Sequence, residues 1–182
     1  MRQIKRIFVH CTAGSQKTTK EQLLQIFKQR GWKNPGYHYV VFPDGKIEQL
    51  LNEEKISNGV AGYNSTSINI AYIGGVDTKN KCKPIDNRTD EQKSALITLL
   101  TELKKKYPNA HIMGHRDIWG KNPIKWHKAC PCFDAEEEYK DITGEEKPKI
   151  DPNFKPSAPN SPLKPKSIMD KIKELAPWTK KN

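Results

Sequence analysis

Ile4-Lys5-Arg6-Ile7-Phe8-Val9-His10-Cys11-Thr12 is the stretch from which the fold can be read. After two basic residues it runs apolar and β-branched without a polar break. A strand with one wet face alternates apolar and polar residues, whereas an unbroken run belongs to a strand covered on both faces inside a sheet. The run closes on His10 and Cys11, which puts an imidazole and a thiol at the strand's C-terminal edge.

Working outward, Thr18 with Glu21 reads as a capping box, and Leu23, Leu24 and Phe27 follow at helical spacing until Gly31. A helix is predicted over 19–30. Residues 36–42 are strand-like, Pro43-Asp44-Gly45 is a turn and 46–51 form a second arm, so a hairpin follows with Tyr37 and His38 at its start. Residues 53–65 show no period and read as a loop. The run Ser67-Ile68-Asn69-Ile70-Ala71-Tyr72-Ile73-Gly74-Gly75 is a further strand.

Residues 76–88 read as a polar connection. Thr89 with Gln92 caps a second helix, whose stripe is Leu96, Leu99, Leu100 and Leu103 and whose end is Tyr107-Pro108. A short strand over 110–114 delivers His115 to an edge, an irregular loop spans 117–128, and Asp134 caps a short acidic helix reaching about Lys140. The alternation of strands and helices predicts a mixed α/β fold, with a central, mostly buried mixed β-sheet flanked by helices. It occupies 1–143. Six prolines between Pro148 and Pro165 mark 144–166 as a linker, and 167–182 as a short helical tail with Ile168, Met169, Ile172 and Leu175 on one side.

At 182 residues the chain suits one domain with an appendage. The formal net charge of +11 suits an acidic polymer as partner, the bacterial wall with its teichoic acids and peptide carboxylates included. The lysines are scattered and not interleaved with aromatics, and no nucleic-acid motif is present, so no specific nucleic acid is expected. No stretch has the length of a membrane span, and the basic N-terminus carries too short an apolar run for a signal peptide. The expectation is a monomer that is cytoplasmic as synthesised and acts on the cell wall if released. The 4 cysteines lack disulfide-scaffold density, and thiols serving a metal fit them better.

Zinc takes imidazole and thiolate, and a catalytic site uses three protein ligands with a fourth position open. His10, His115 and one cysteine of the late pair Cys130 and Cys132 satisfy that count, and hydrolysis of an amide or ester is the reaction class. Pro131 is expected to hold the pair extended, which leaves the two thiols equivalent on this reading. Cys11 reads as a small hydrophobe, His111 as a surface residue and His127 as a reserve ligand.

Phe8-Val9-His10-Cys11, Gly36-Tyr37-His38-Tyr39, Gly62-Tyr63-Asn64, Gly74-Gly75-Val76-Asp77 and Lys128-Ala129-Cys130-Pro131-Cys132-Phe133-Asp134, with Ser67-Ile68 and His115 between, together resemble the zinc N-acetylmuramoyl-L-alanine amidases of the bacteriophage lysozyme type, relatives of the peptidoglycan recognition proteins. The resemblance runs in order from Ile4 to Asp134. It implies zinc on His10, His115 and Cys130, with Tyr37 and Lys128 catalytic, and His38 and Asn64 in contact with substrate. The implied substrate is peptidoglycan or a muropeptide, cut between N-acetylmuramic acid and L-alanine. The rival implication is a recognition module that binds peptidoglycan without cutting it. Related amidases often carry a histidine just before Gly-Tyr-Asn, where this chain reads Asn58-Gly59-Val60-Ala61, and Cys132 stands where serine or glycine is commoner.

Overall fold

The computed structural model describes residues 2–80 and 82–143, so the proline-rich linker and helical tail expected beyond 143 lie outside the described residues. Strand β1 (Arg6–Cys11) is followed by helix α1 (Lys20–Gln29), hairpin β2 (Tyr39–Val41) and β3 (Ile47–Gln49), and strand β4 (Ser67–Tyr72). A two-residue pair, β5 (Val76–Asp77) and β6 (Lys83–Pro84), precedes helix α2 (Asp90–Lys106), strand β7 (His111–Gly114) and the single-turn α3 (Ala135–Glu138). The main sheet has the order β3-β2-β4-β1-β7. β1 runs parallel to both β4 and β7, while the β2–β3 hairpin is antiparallel, so the sheet is mixed as expected.

β1 lies inside the sheet and every residue from Ile7 to Cys11 is buried, which is why its sequence does not alternate. Period 2 still sorts its side chains. Ile7, Val9 and Cys11 join Ile68, Ile70 and Tyr72 of β4 in one apolar layer under Leu96, Leu99, Leu100 and Leu103 of α2. His10 and Asn69 sit on the opposite face. Burying each of those α2 leucines contributes about 1.5–3 kcal/mol, and Gln92 fixes the helix on the sheet by donating to the carbonyls of Val41 and Ile73 at 3.1 and 3.0 Å.

Two details of the sequence reading shift. The α1 cap is Thr19 with Gln22 rather than Thr18 with Glu21: the Thr19 hydroxyl accepts the Gln22 N–H at 3.3 Å and Gln22 Oε1 accepts the Thr19 N–H at 3.0 Å. Thr18 is buried, its hydroxyl already committed to the Ser15 carbonyl at 2.7 Å. Residues 76–88 are more than connection. Asn87 Oδ1 accepts the Gly75 N–H at 2.8 Å, and the buried Arg88 guanidinium binds Asp86, Glu138 and the Tyr139 hydroxyl while lying 3.3 Å over the Phe133 ring. Arg88 thereby joins the β5–β6 turn to the segment that follows the late cysteines.

Candidate metal centre

Three separate elements end at one cleft. β1 carries His10, 1% exposed, next to its last residue, and β7 passes at Gly114 into a 3-10 turn (His115–Trp119) that carries His115, 8% exposed. The Gly114 N–H donates to Asp117 Oδ2 at 2.6 Å, which closes that turn. The cysteine segment is held from both sides: Arg116 N–H donates to the Cys130 carbonyl at 2.8 Å, and the Tyr72 hydroxyl to the Pro131 carbonyl at 2.8 Å. Glycine is required at 114 because a Cβ there would lie 2.5 Å from Pro131 Cδ.

The result is that one ligand atom each from His10, His115 and Cys130 lies within 4.8 Å of the other two. The His10 Nδ1 to Cys130 Sγ distance is 3.7 Å, and the two imidazoles meet edge to face at 4.9 Å between ring centroids. Ligands of tetrahedral zinc stand about 3.5 Å apart, given bond lengths of roughly 2.0–2.3 Å, so this donor set fits zinc with a small contraction. Electrostatics point the same way. Burial first, then the neighbouring Lys128 charge, lowers His10 to about 4. For His115, burial, the His10 ring and Lys128 together lower it to about 2. Both rings stay neutral at ordinary pH, with lone pairs available to a metal.

The two late thiols are not equivalent. The segment is a turn, closed by the Cys132 N–H donating to the Ala129 carbonyl at 2.7 Å, with Cys132 at φ 77°. The expectation that Pro131 holds it extended therefore fails, and the sulfurs diverge. Cys130 Sγ faces His10, whereas Cys132 Sγ donates to the Gly75 carbonyl at 3.3 Å and lies 3.8 Å from Cys11 Sγ. Cys11 faces the α2 layer, as its reading as a small hydrophobe requires. Cys132→Ser is expected to leave zinc content unchanged, and metal analysis of the purified variant checks it.

Tyr37 and Lys128 both line the cleft. The Tyr37 ring lies 5.1 Å from that of His10 and rests edge-on against Phe27 of α1. Its hydroxyl is 3.5 Å from the Cys11 carbonyl, and burial pushes its pKa up, so the phenol keeps its proton. Lys128 is exposed at the mouth. His38 does not reach the cleft. It sits at a bend just before β2, fully buried, where Nδ1 accepts the Asn69 N–H at 3.0 Å and Nε2 donates to the Lys55 carbonyl at 3.0 Å. Asn64 is likewise taken up internally, its Oδ1 accepting the Val60 N–H at 2.7 Å. The reserve, His127, is exposed and packs on Trp119 at 5.1 Å. His111 is an exposed residue beside Glu136.

Sequence reasoning missed Arg30, Trp32 and Asn58, which complete the cleft wall. Trp32 stacks on Phe27 at 5.6 Å, and the Arg30 guanidinium lies 5.2 Å from the Trp32 ring. It also missed Asn69, whose Oδ1 lies 2.9 Å from His10 Nε2. The signal was there: an amide between Ile68 and Ile70 in a strand buried throughout.

β1 and β7 bring two neutral imidazoles to one cleft and the turn at 129–132 brings a thiol, a donor set suited to a metal ion. Residues 1–133 match the family model of N-acetylmuramoyl-L-alanine amidase, and the chain belongs to that family. It is 37% identical over 142 residues to the endolysin of Enterobacteria phage K11, covering 77% of this chain and 87% of that one. Among solved structures it resembles the Ph2119 endolysin from the Thermus scotoductus MAT2119 bacteriophage, at 30% identity and TM-score 0.57, covering 72% of this chain and 79% of the other. It also resembles the N-acetylmuramoyl-L-alanine amidase LysC from Clostridium intestinale, at 26% identity and TM-score 0.61 over 75% and 82%. Among the described residues no helix is long and apolar enough to cross a membrane.

Proposed function

We propose that the chain hydrolyses the amide between N-acetylmuramic acid and L-alanine in bacterial peptidoglycan, with zinc held by His10, His115 and Cys130. The observation that carries this is the convergence of those three donors within 4.8 Å in a cleft also lined by Tyr37 and Lys128. Zinc, when bound there, supplies Lewis acidity and a nucleophilic water at neutral pH. The rest falls to the chain. The Lys128 ammonium stabilises the negative charge that develops on the carbonyl oxygen as water adds, an electrostatic role worth most in a cleft partly closed to water. The Tyr37 phenol keeps its proton at the cleft wall and orients the attacking water by hydrogen bonding. The C–N bond then breaks, the lactyl group keeps the added oxygen and the alanine nitrogen takes a proton.

The cleft suits an anionic substrate. Arg30 and Lys128 set two cations at its rim, and the exposed edge of Trp32 offers an apolar surface beside them. His38 and Asn64 support the wall of the cleft rather than touch the substrate. The likeness to endolysins supports a reaction at the cell wall.

Zinc-loaded protein added to purified cell walls is expected to lower turbidity while new N-terminal alanine appears. Alanine release by neither intact walls nor soluble muropeptides would overturn the proposal, and tight wall binding without release would instead support the recognition module. Lys128→Met is expected to lower kcat about 100-fold with zinc content unchanged, since it removes one stabilising charge and no ligand. Turnover and metal content measured on one preparation check it.

A further inference from the structure

A histidine can bind metal through one ring nitrogen only if that nitrogen lacks the proton, and the partner of the other nitrogen decides where the proton sits. In His10, Nδ1 faces Cys130 at 3.7 Å and Nε2 faces Asn69 Oδ1 at 2.9 Å. Whether Asn69 truly presents oxygen there is a question of its other contacts, because the two ends of a side-chain amide are told apart by their partners. Those contacts lead to an unambiguous donor. The Val60 backbone N–H points at Asn64 at 2.7 Å and can only donate, so the Asn64 atom facing it is oxygen. That oxygen can only accept. Asn69 therefore turns its NH2 group to this side, 3.4 Å from Asn64 Oδ1 and 2.8 Å from the Ser57 hydroxyl. Its carbonyl oxygen is left for His10, which must donate from Nε2.

Burial makes this arrangement binding. Asn69 and Ser57 are 0% exposed and Val60 1%, so water cannot substitute for a lost partner. Space is reserved for it as well. A Cβ on Gly59 would come within 2.3 Å of Asn69 Oδ1 and 2.4 Å of its Cγ, so residue 59 must be glycine for Asn69 to hold this position. Neither the strand nor the core needs an amide here, since the flanking Ile68 and Ile70 serve the apolar face.

The geometry points to Asn69 as the positioning residue that fixes the proton of His10 on Nε2 and presents Nδ1 to the metal, with Val60 and Asn64 fixing the direction of Asn69 in turn. This rests on the reading of His10 as a zinc ligand. It also gives Asn64 of the Gly-Tyr-Asn motif a task inside the fold, two hydrogen bonds behind the metal.

The test is a long-range 1H–15N spectrum of the full chain with 15N-labelled histidine, zinc-free and zinc-loaded, alongside zinc affinity by chelator competition. Wild type is expected to carry the His10 proton on Nε2 in both states. Asn69→Leu, similar in volume without the acceptor, is expected to lose the single tautomer in the zinc-free chain and to bind zinc about 10- to 100-fold more weakly. A wild-type spectrum with the proton on Nδ1 would overturn the inference, and this result needs no variant to fold. So would Asn69→Leu with the wild-type tautomer and affinity within about twofold. If wild type binds no zinc, the metal reading fails by itself, while the zinc-free spectrum still decides the role of Asn69.

Discussion

Replacing His10 with alanine is expected to remove zinc and to lower wall-hydrolysing activity about a thousandfold or more, because water at neutral pH is a poor nucleophile without the metal. Two of three ligands would remain, His115 and Cys130, and with Cys130 half-buried and His10 gone nothing holds a metal between them. The substitution also empties a fully buried position among Phe8, Tyr37 and His115, and the cavity costs about 2–4 kcal/mol. That cost is separable from ligand loss. Near-UV circular dichroism reports whether the aromatic packing survives, and metal analysis reports the site. A folded His10→Ala protein that keeps one zinc per chain and full activity would remove His10 from the centre.

How much of this could be read beforehand follows from the range over which each signal acts. β1 was legible because burial on both faces leaves a short, β-branched apolar run, and α2 because a four-leucine stripe with a Thr89–Gln92 box leaves little choice. The α1 cap slipped by one residue because Thr18 and Thr19 offer the same chemistry. Only the tertiary commitment of the Thr18 hydroxyl to Ser15 distinguishes them. The β5–β6 pair is two residues a side, too short for any period to register.

At the site, the ligands could be listed from residue type and resemblance, but their equivalence or otherwise could not. Cys130 and Cys132 differ through a turn whose closing hydrogen bond, Cys132 to Ala129, leaves no mark in composition. The pairing of Gly59 with Asn69 is a contact between residues ten apart in sequence, each unremarkable alone. His38 lies at a bend just before β2 and is buried among backbone partners, and neither a bend nor those partners leaves a period in the sequence.

Acid should unfold the zinc-free chain earlier than its carboxylates alone would dictate. The sign follows from which state binds more protons. Folding holds His10 at about 4 and His115 at about 2, against 6.5 for an imidazole in the unfolded chain, and burial lowers the fully buried His38 in the same direction. As pH falls below 6.5 the unfolded state takes up protons that the folded state refuses, so stability present above 6.5 is progressively lost, for His10 until the folded ring itself titrates near 4. For His10 alone the loss amounts to about 3 kcal/mol, at up to about 1.4 kcal/mol per pH unit, and His115 adds a comparable amount over the same interval. Carboxylates such as Glu53 and Asp86, held below their ordinary values by Lys106 and Arg88, give up their contribution only at lower pH, which keeps the two effects apart. Urea midpoints of the metal-free chain at pH 7.5, 6, 5 and 4.5 are expected to fall steadily, and a midpoint flat from pH 7.5 to 5 would mean the imidazoles are not held neutral by burial. The acid sensitivity and the proposed zinc site have one cause: the fold spends stability to keep two imidazoles uncharged against a lysine, and only uncharged can they offer lone pairs to a metal.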